Sequence, residues 1–359
     1  MIRVEQRLEP NLAWTSGAFA VAIIAGLVVS GLLVAASGAD VFKAFGALFE
    51  GAFGSFRAIT ASLVKATPLI LTGLATVVAF RAQVWNIGQE GQLYAGAMAA
   101  YLGSLILAGL PSFFQIVGIV LFGVAGGALL GGLAAILKTR FRVSEIISTV
   151  MLNYLVVYLL SYLLAGGPWT EVGETVSYHQ SPPIPEAAHL PLLVSGMKLH
   201  IGFLFAILVA IACYILLEKT PLGFEIRALG FNPAALRSRG TNVSRTILLV
   251  MAISGGIAAV AGLSELFGVG HRLRSDYLFG LGYTGIIIGM IGGLRPGGTV
   301  LAGIFFGGLE SGALYMKILS GVPASLVPAI EGIILLFVLM AGVISRFRLV
   351  IPRSADNDP

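Results

Sequence analysis

The side chains best equipped for chemistry stand between two long oily runs. Arg81-Ala-Gln-Val-Trp-Asn86-Ile-Gly88-Gln89-Glu90-Gly91-Gln92 gathers a cation, a carboxylate and several amides there. Polar and ionisable groups at membrane depth are costly, and by default they face an interior cavity. What they offer is hydrogen bonding to a polar solute, with Glu90 as the titratable acceptor. Glycines on both sides of Gln89-Glu90 fit an interrupted helix whose free backbone groups face that solute. An ordinary cytoplasmic turn between two spans fits the composition equally well, with Glu90 paired to Arg81. Asn153, inside Val143-Ser-Glu-Ile-Ile-Ser-Thr-Val-Met-Leu-Asn-Tyr154, either lines the same path or bonds a neighbouring helix, the commoner use of a lone amide. Asn86, Gln89, Glu90, Gln92 and Asn153 are therefore the candidate path residues.

A second polar cluster is basic. Glu218 to Arg245, EKTPLGFEIRALGFNPAALRSRGTNVSR, is the longest strongly basic polar interval in the chain. Asn232 can cap a helix by accepting from its first free N–H groups, and Pro233 loses nothing at the first helical position. Ala234, Ala235, Leu236, Arg237 and Ser238 favour helix, Arg239 follows, and Gly240 supplies a left-handed terminator. On these residues alone, a solvated connector made basic by topology is the simpler reading.

Other chemistry finds little footing. The nearest approach to a phosphate loop, Gly132 to Thr139, lacks the second glycine before Lys138. His179, His189, His200 and His271 show no metal-ligand spacing, and no serine has an identifiable paired base. One cysteine, Cys213, excludes a disulfide framework. No enzyme, metal or cofactor is expected. The net charge of +5 is spread over short loops, so membrane topology explains it more simply than nucleic acid does.

These clusters must be positioned by helices in lipid. Charged residues are 11% of the chain, against about 25% in soluble domains, and hydrophobic residues are 57%. A hydrocarbon core of ~30 Å needs about 20 apolar residues in helix. That length predicts spans near 14–36, 59–80, 92–110, 115–137, 144–165, 198–217, 246–268, 283–294, 299–319 and 324–345. The first begins like a signal peptide but is too long for one. The eighth is too short to cross alone and, amid its glycines, reads as a half-helix or broken helix.

The expected fold is thus an all-α membrane protein of about ten transmembrane helices, some broken, forming one multi-pass domain over 1–359. The Lys/Arg bias, including Arg3, Arg7, Arg346, Arg348 and Arg353 at the two ends, places both termini in the cytoplasm. On that orientation 218–245 is cytoplasmic and the proline-rich 166–196 is an external loop. Val41 to Phe56 is amphipathic and expected along the outer surface. Gly123, Gly127 and Gly131 stand at the small-xxx-small spacing of close helix packing. Ten spans also permit a five-plus-five inverted repeat, with a weak echo between Asn86–Gly96 and Leu281–Gly289.

Four stretches together carry a resemblance. They are Pro68-Leu-Ile-Leu-Thr-Gly-Leu-Ala, Phe80-Arg-Ala with Asn86-Ile-Gly-Gln-Glu-Gly-Gln92, Glu145-Ile-Ile-Ser-Thr-Val-Met-Leu-Asn153-Tyr, and Gly223-Phe-Glu-Ile-Arg-Ala-Leu-Gly-Phe-Asn232-Pro-Ala-Ala. The chain resembles, from about residue 10 to 350, permease subunits of bacterial ABC importers in the branch for branched-chain amino acids, simple sugars and nucleosides. It looks most like the longer permease of nucleoside-type systems. That resemblance implies a bacterial plasma-membrane importer subunit for a nucleoside or simple sugar. It implies a second permease subunit in a heterodimer, a cytoplasmic ABC ATPase and an external solute-binding lipoprotein. It also implies that Asn232, Pro233, Ala234, Ala235, Leu236, Arg237, Arg239 and Gly240 form the coupling helix seated on the ATPase. A secondary transporter with an inverted repeat is the rival reading, and a membrane-embedded enzyme a more distant one.

Overall fold

The computed structural model describes residues 3–6, 12–171, 179–275, 278, 280–323, 325–344 and 347–350. In chain order these form strand β1 (Arg3–Gln6) and helices α1 (Leu12–Ala36), α2 (Val41–Phe53), α3 (Phe56–Arg81), α4 (Gln89–Ile106), α5 (Ser112–Phe141) and α6 (Glu145–Leu164). After the irregular segment come α7 (Gly202–Lys219), α8 (Pro221–Phe231), α9 (Pro233–Ser238) and α10 (Val243–Glu265), which runs into a π-turn at Leu266–Gly270. Then follow α11 (Leu281–Ile291), α12 (Pro296–Leu319), α13 (Leu326–Ile344) and strand β2 (Phe347–Val350). Each expected span coincides with a helix. Among the described residues, seven helices are long and apolar enough to cross a membrane, from Gly17–Ala36 to Pro296–Leu319. Residues 172–178 of the expected external loop, and Arg7, Arg346 and Arg353, lie outside the described residues.

The chain divides into two compact units, residues 52–311 and a smaller one made of 1–51 with 312–359. In the larger, α10 is the central helix, packed on α3, α4 and α5. The contact with α5 depends on the glycine stripe. A β-carbon on Gly127 would stand 2.3 Å from the Gly255 carbonyl oxygen, and one on Gly131 would stand 2.3 Å from that of Met251. Only glycine lets the two backbones touch, as the spacing predicts. In the smaller unit α1 packs on α13, and β1 pairs antiparallel with β2, Arg3 opposite Val350.

Helix α11 is 11 residues long, about half of what the hydrocarbon core requires. Left-handed Gly280 (φ 90°) precedes it, and Gly293 and Leu294 (φ 67° and 54°) follow it. The short eighth element is thus a separate half-length helix with a sharp turn at each end.

Candidate functional site

The segment between α3 and α4 turns Gln83 and Trp85 outward and sends its other side chains and the start of α4 inward. Ala82, Val84, Asn86, Gln89, Glu90 and Gln92 are all buried, and the chain folds back through Gln83 in the left-handed region. Protein covers this irregular backbone, as it must at membrane depth. The glycines serve close approach: a β-carbon on Gly88 would stand 2.9 Å from Thr149 Cβ, and one on Gly91 2.8 Å from Asn153 Cα. Helix α6 is therefore pressed directly against the start of α4.

Each amide predicted for the path is engaged by the protein. Asn86 donates to Gln92 Oε1 and to Ser254 Oγ, both at 2.9 Å, and accepts from the Gly88 N–H at 3.1 Å. Ser254 in turn donates to the Ala75 carbonyl at 2.8 Å, tying α10 to α3. The Gln89 amide is best oriented with its nitrogen on the Thr72 carbonyl at 2.7 Å and its oxygen accepting from the Thr76 N–H at 3.1 Å. Asn153 accepts from the Gly91 N–H at 2.8 Å and donates to the Ile87 carbonyl at 3.0 Å and the Tyr283 hydroxyl at 3.1 Å. It grips the interrupted segment from both sides, and a buried amide so satisfied fixes backbone geometry.

Glu90 joins this segment to α11. Its carboxylate accepts from the Gly280 N–H at 2.6 Å and the Gly282 N–H at 2.8 Å, the free donors at the start of that short helix. A buried carboxylate is expensive, and here two charge-assisted bonds and the positive helix end offset the cost. Gly282 is needed because a β-carbon there would lie 2.5 Å from the Glu90 nitrogen. The alternative pairing with Arg81 is not what forms: Arg81 bonds Glu218 at 3.0 Å and the Leu294 carbonyl at 2.9 Å. So the two stretches that echo each other in sequence meet through their helix starts. Thr72, Thr76, Ser254 and Tyr283 were missed by sequence reasoning, although Gly-Tyr-Thr-Gly (282–285) marked the last of them.

The basic interval holds two helices. Asn232 caps α9 by accepting from the Ala234 and Ala235 N–H groups at 3.0 and 3.2 Å, and Gly240 ends it at φ 85°. Helix α8 was not expected, yet Thr220-Pro221 starts it as Asn232-Pro233 starts α9, with Thr220 Oγ1 accepting from the Gly223 N–H at 3.0 Å. Leu236 is 2% exposed and packs α9 onto the chain, and it also lines the groove beside Ala235. Ala234, Ala235, Arg237 and Arg239 stay on the outside. The Arg239 guanidinium lies 4.9 Å above the Phe224 ring, and Phe231 is 91% exposed. Phe224, Phe231, Asn232 and Ala235 help line a shallow groove of about 410 Å³ between α8 and α9.

On the other side of α10, the irregular segment closes over the π-turn. Leu190 N–H donates to the Phe267 carbonyl at 3.0 Å, Ile184 N–H to that of His271 at 2.9 Å, and Arg272 pairs with Glu171. That arginine holds the Glu171 carboxyl below the usual carboxylate range. His189 stacks on His271, with ring centres 3.8 Å apart. His200 is buried against Gly202 and Gly268, and burial, with His271 nearby, pulls its pKa down to about 4. Among the described residues no group of His, Cys, Asp or Glu is arranged to hold a metal ion.

Residues 58–341 match the family described as "Branched-chain amino acid transport system / permease component". The chain is 36% identical to the guanosine ABC transporter permease protein NupP of Bacillus subtilis (strain 168), over 89% of this chain and 91% of that one. It is 33% identical to the glucose ABC transporter permease protein TsgB13 of Haloferax volcanii, over 97% and 94% of the two chains. A second guanosine ABC transporter permease protein of the same Bacillus strain, NupQ, is 28% identical over 79% of this chain and 87% of its own.

Proposed function

The chain belongs to the family of branched-chain amino acid transport system permease components, and we propose that it is the permease subunit of an ATP-binding cassette importer for a nucleoside or simple sugar. The carrying observation is near full-length similarity to permeases named for guanosine and glucose transport. As a multi-pass membrane permease it performs no ATP hydrolysis itself; a separate ATPase subunit does. Similarity to both NupP and NupQ supports a heterodimer in which a second permease completes the path. A solute-binding lipoprotein delivers the solute from outside, and the complex sits in the plasma membrane of a bacterium with both termini in the cytoplasm. Pairing of β1 with β2 supports a common side for the two ends.

In this reading α8 and α9 face the ATPase, with Asn232 and Pro233 starting the coupling helix and Gly240 closing it. Ala234, Ala235, Arg237 and Arg239 present its outer side. Asn86, Gln89, Glu90, Gln92 and Asn153 serve the path from behind, fixing where α4 and α11 begin. Motion of α8 reaches them through Glu218, which binds Arg227 at 3.2 Å and Arg81 at the end of α3.

Uptake of labelled guanosine and labelled glucose by cells making the complete system tests the reading. Uptake should vanish when this chain alone is deleted, and it should persist when the ion gradients are collapsed with ATP maintained. Gradient-driven uptake by this chain alone in liposomes would establish the secondary-transporter reading instead.

A further inference from the structure

The exposed face of α6 carries a pattern the buried cluster does not use. Tyr154, Tyr158 and Tyr162 recur every fourth residue, so they stack on one side of the helix. They are 53%, 69% and 70% exposed, and the Tyr154 and Tyr158 rings lie 6.4 Å apart at 23° to each other. Three such rows rise about 12 Å along the axis. Tyr154 is the tenth residue of a helix that is itself 20 residues long, so the stripe begins at mid-membrane and climbs toward the irregular segment.

Ile147, Met151 and Leu155 share this exposed side and suit hydrocarbon, but the tyrosine hydroxyls do not. Tyrosine favours the membrane boundary, where its ring is in lipid and its hydroxyl in water. A hydroxyl left unpaired in hydrocarbon costs roughly 2–7 kcal/mol. Tyr162 can reach the boundary; Tyr154, at the centre, cannot. The stripe is also continuous with the buried cluster. Tyr154 directly follows Asn153 in the chain. Asn153 in turn donates to Tyr283 and grips the segment leading into Glu90.

We propose that Tyr154, Tyr158 and Tyr162 line the water-filled solute path and hold a nucleoside by stacking against its base. Successive rings offer a flat solute equivalent footholds, and base-on-ring stacking tolerates any base because each has a π-face. The hydroxyls pair with the ribose or with water. The solute class rests on the function proposed above, whereas the aqueous character of the stripe does not.

The test uses the complete transporter in cells, with Cys213→Ala as background and a water-soluble methanethiosulfonate reagent added outside. Tyr154→Cys and Tyr158→Cys should label at least ten times faster than Leu208→Cys on the exposed apolar face of α7, and guanosine should slow them at least threefold. Labelling as slow as at Leu208→Cys overturns the proposal and makes the stripe a lipid or subunit contact. Protection by glucose and not guanosine overturns the nucleoside assignment. In uptake, Tyr158→Leu should lose at least tenfold for guanosine while Tyr158→Phe, which keeps the ring, stays within threefold of the parent. Equal losses for both variants overturn stacking. If the parent takes up neither probe, guanosine and glucose fail as its solutes, and the labelling rates still decide whether the stripe is wet.

Discussion

Glu90 shows how one residue can be conspicuous in sequence and opaque in purpose. Its cost at membrane depth was legible, but its partners lie 190 and 192 residues away on a helix start, where no local rule reaches. Glu90→Gln tests the pairing with little change of shape. The amide offers one acceptor where two N–H groups need one each, and turns its own NH₂ toward a donor. Leaving a buried donor unpaired costs about 1–3 kcal/mol. The purified variant should therefore unfold at a lower temperature than the parent, and uptake should fall at least fivefold. An unchanged midpoint with normal uptake would remove Glu90 from the assembly of α4 with α11. His200 yields a pH prediction. Its pKa is about 4 in the fold, against 6.5 for a free imidazole. Between those values only the opened state takes up a proton, so the local fold is fully stabilised above pH 6.5 and loses that stability as pH falls to 4. The difference is of order 3 kcal/mol. Protection factors for the Leu190 and Ile201 amides should decline across that window, and His200→Asn should flatten the decline.

Elements were most legible where local chemistry decides them. Asn232, Pro233 and Gly240 specify α9 within nine residues, and the structure places cap and terminator there. Thr220-Pro221 carries the same signal for α8, but Gly223 and Gly230 within that helix weaken its local propensity, so the basic interval alone reads there as loop. The irregular turn before α4 was legible only as an alternative, since burial of its backbone depends on α3, α6 and α10 together. Glycines divide in the same way: a stripe at four-residue spacing reveals a packing face, and the structure names the partner. This gives a paired prediction on α5. A side chain at Gly127 must displace the Gly255 backbone, whereas a β-carbon at Gly132 meets nothing within 4 Å. Gly127→Leu should sharply reduce folded protein recovered in detergent, and Gly132→Leu should leave the yield near the parent's. Equal yields would mean that α5 and α10 do not hold this close contact in the membrane.

At the scale of the molecule, the proposed docking of an ATPase on α9 requires a link from that helix to the buried cluster. The chain offers one continuous route: α9 anchored by Leu236, α8 beneath it, Glu218 shared by Arg227 and Arg81, and Arg81 closing α3 just before the interrupted segment. A rigid start to this route matters, because a helix that frayed on contact would absorb the motion. Loss of the Asn232 cap costs ~1 kcal/mol, so Asn232→Ala should only modestly slow uptake. Topology is the first condition: a cysteine at Ser238 that reacts with an impermeant reagent in intact cells would place this loop on the wrong side. Ala235→Glu is the sharper test. Ala235 is exposed on the groove between α8 and α9, so a carboxylate there is harmless to the isolated fold. In a docked complex the longer, charged side chain must be fitted into the contact and desolvated, which is unfavourable even with Arg227 and Arg239 lining the same groove. The variant should therefore accumulate in the membrane at the parent's level and still bind the solute-loaded lipoprotein. It should lose ATPase copurification, uptake and solute-stimulated ATP hydrolysis together. Copurification and transport at the parent's rate would show that the ATPase grips the permease elsewhere, and the exposed Phe231 would be the next residue to test.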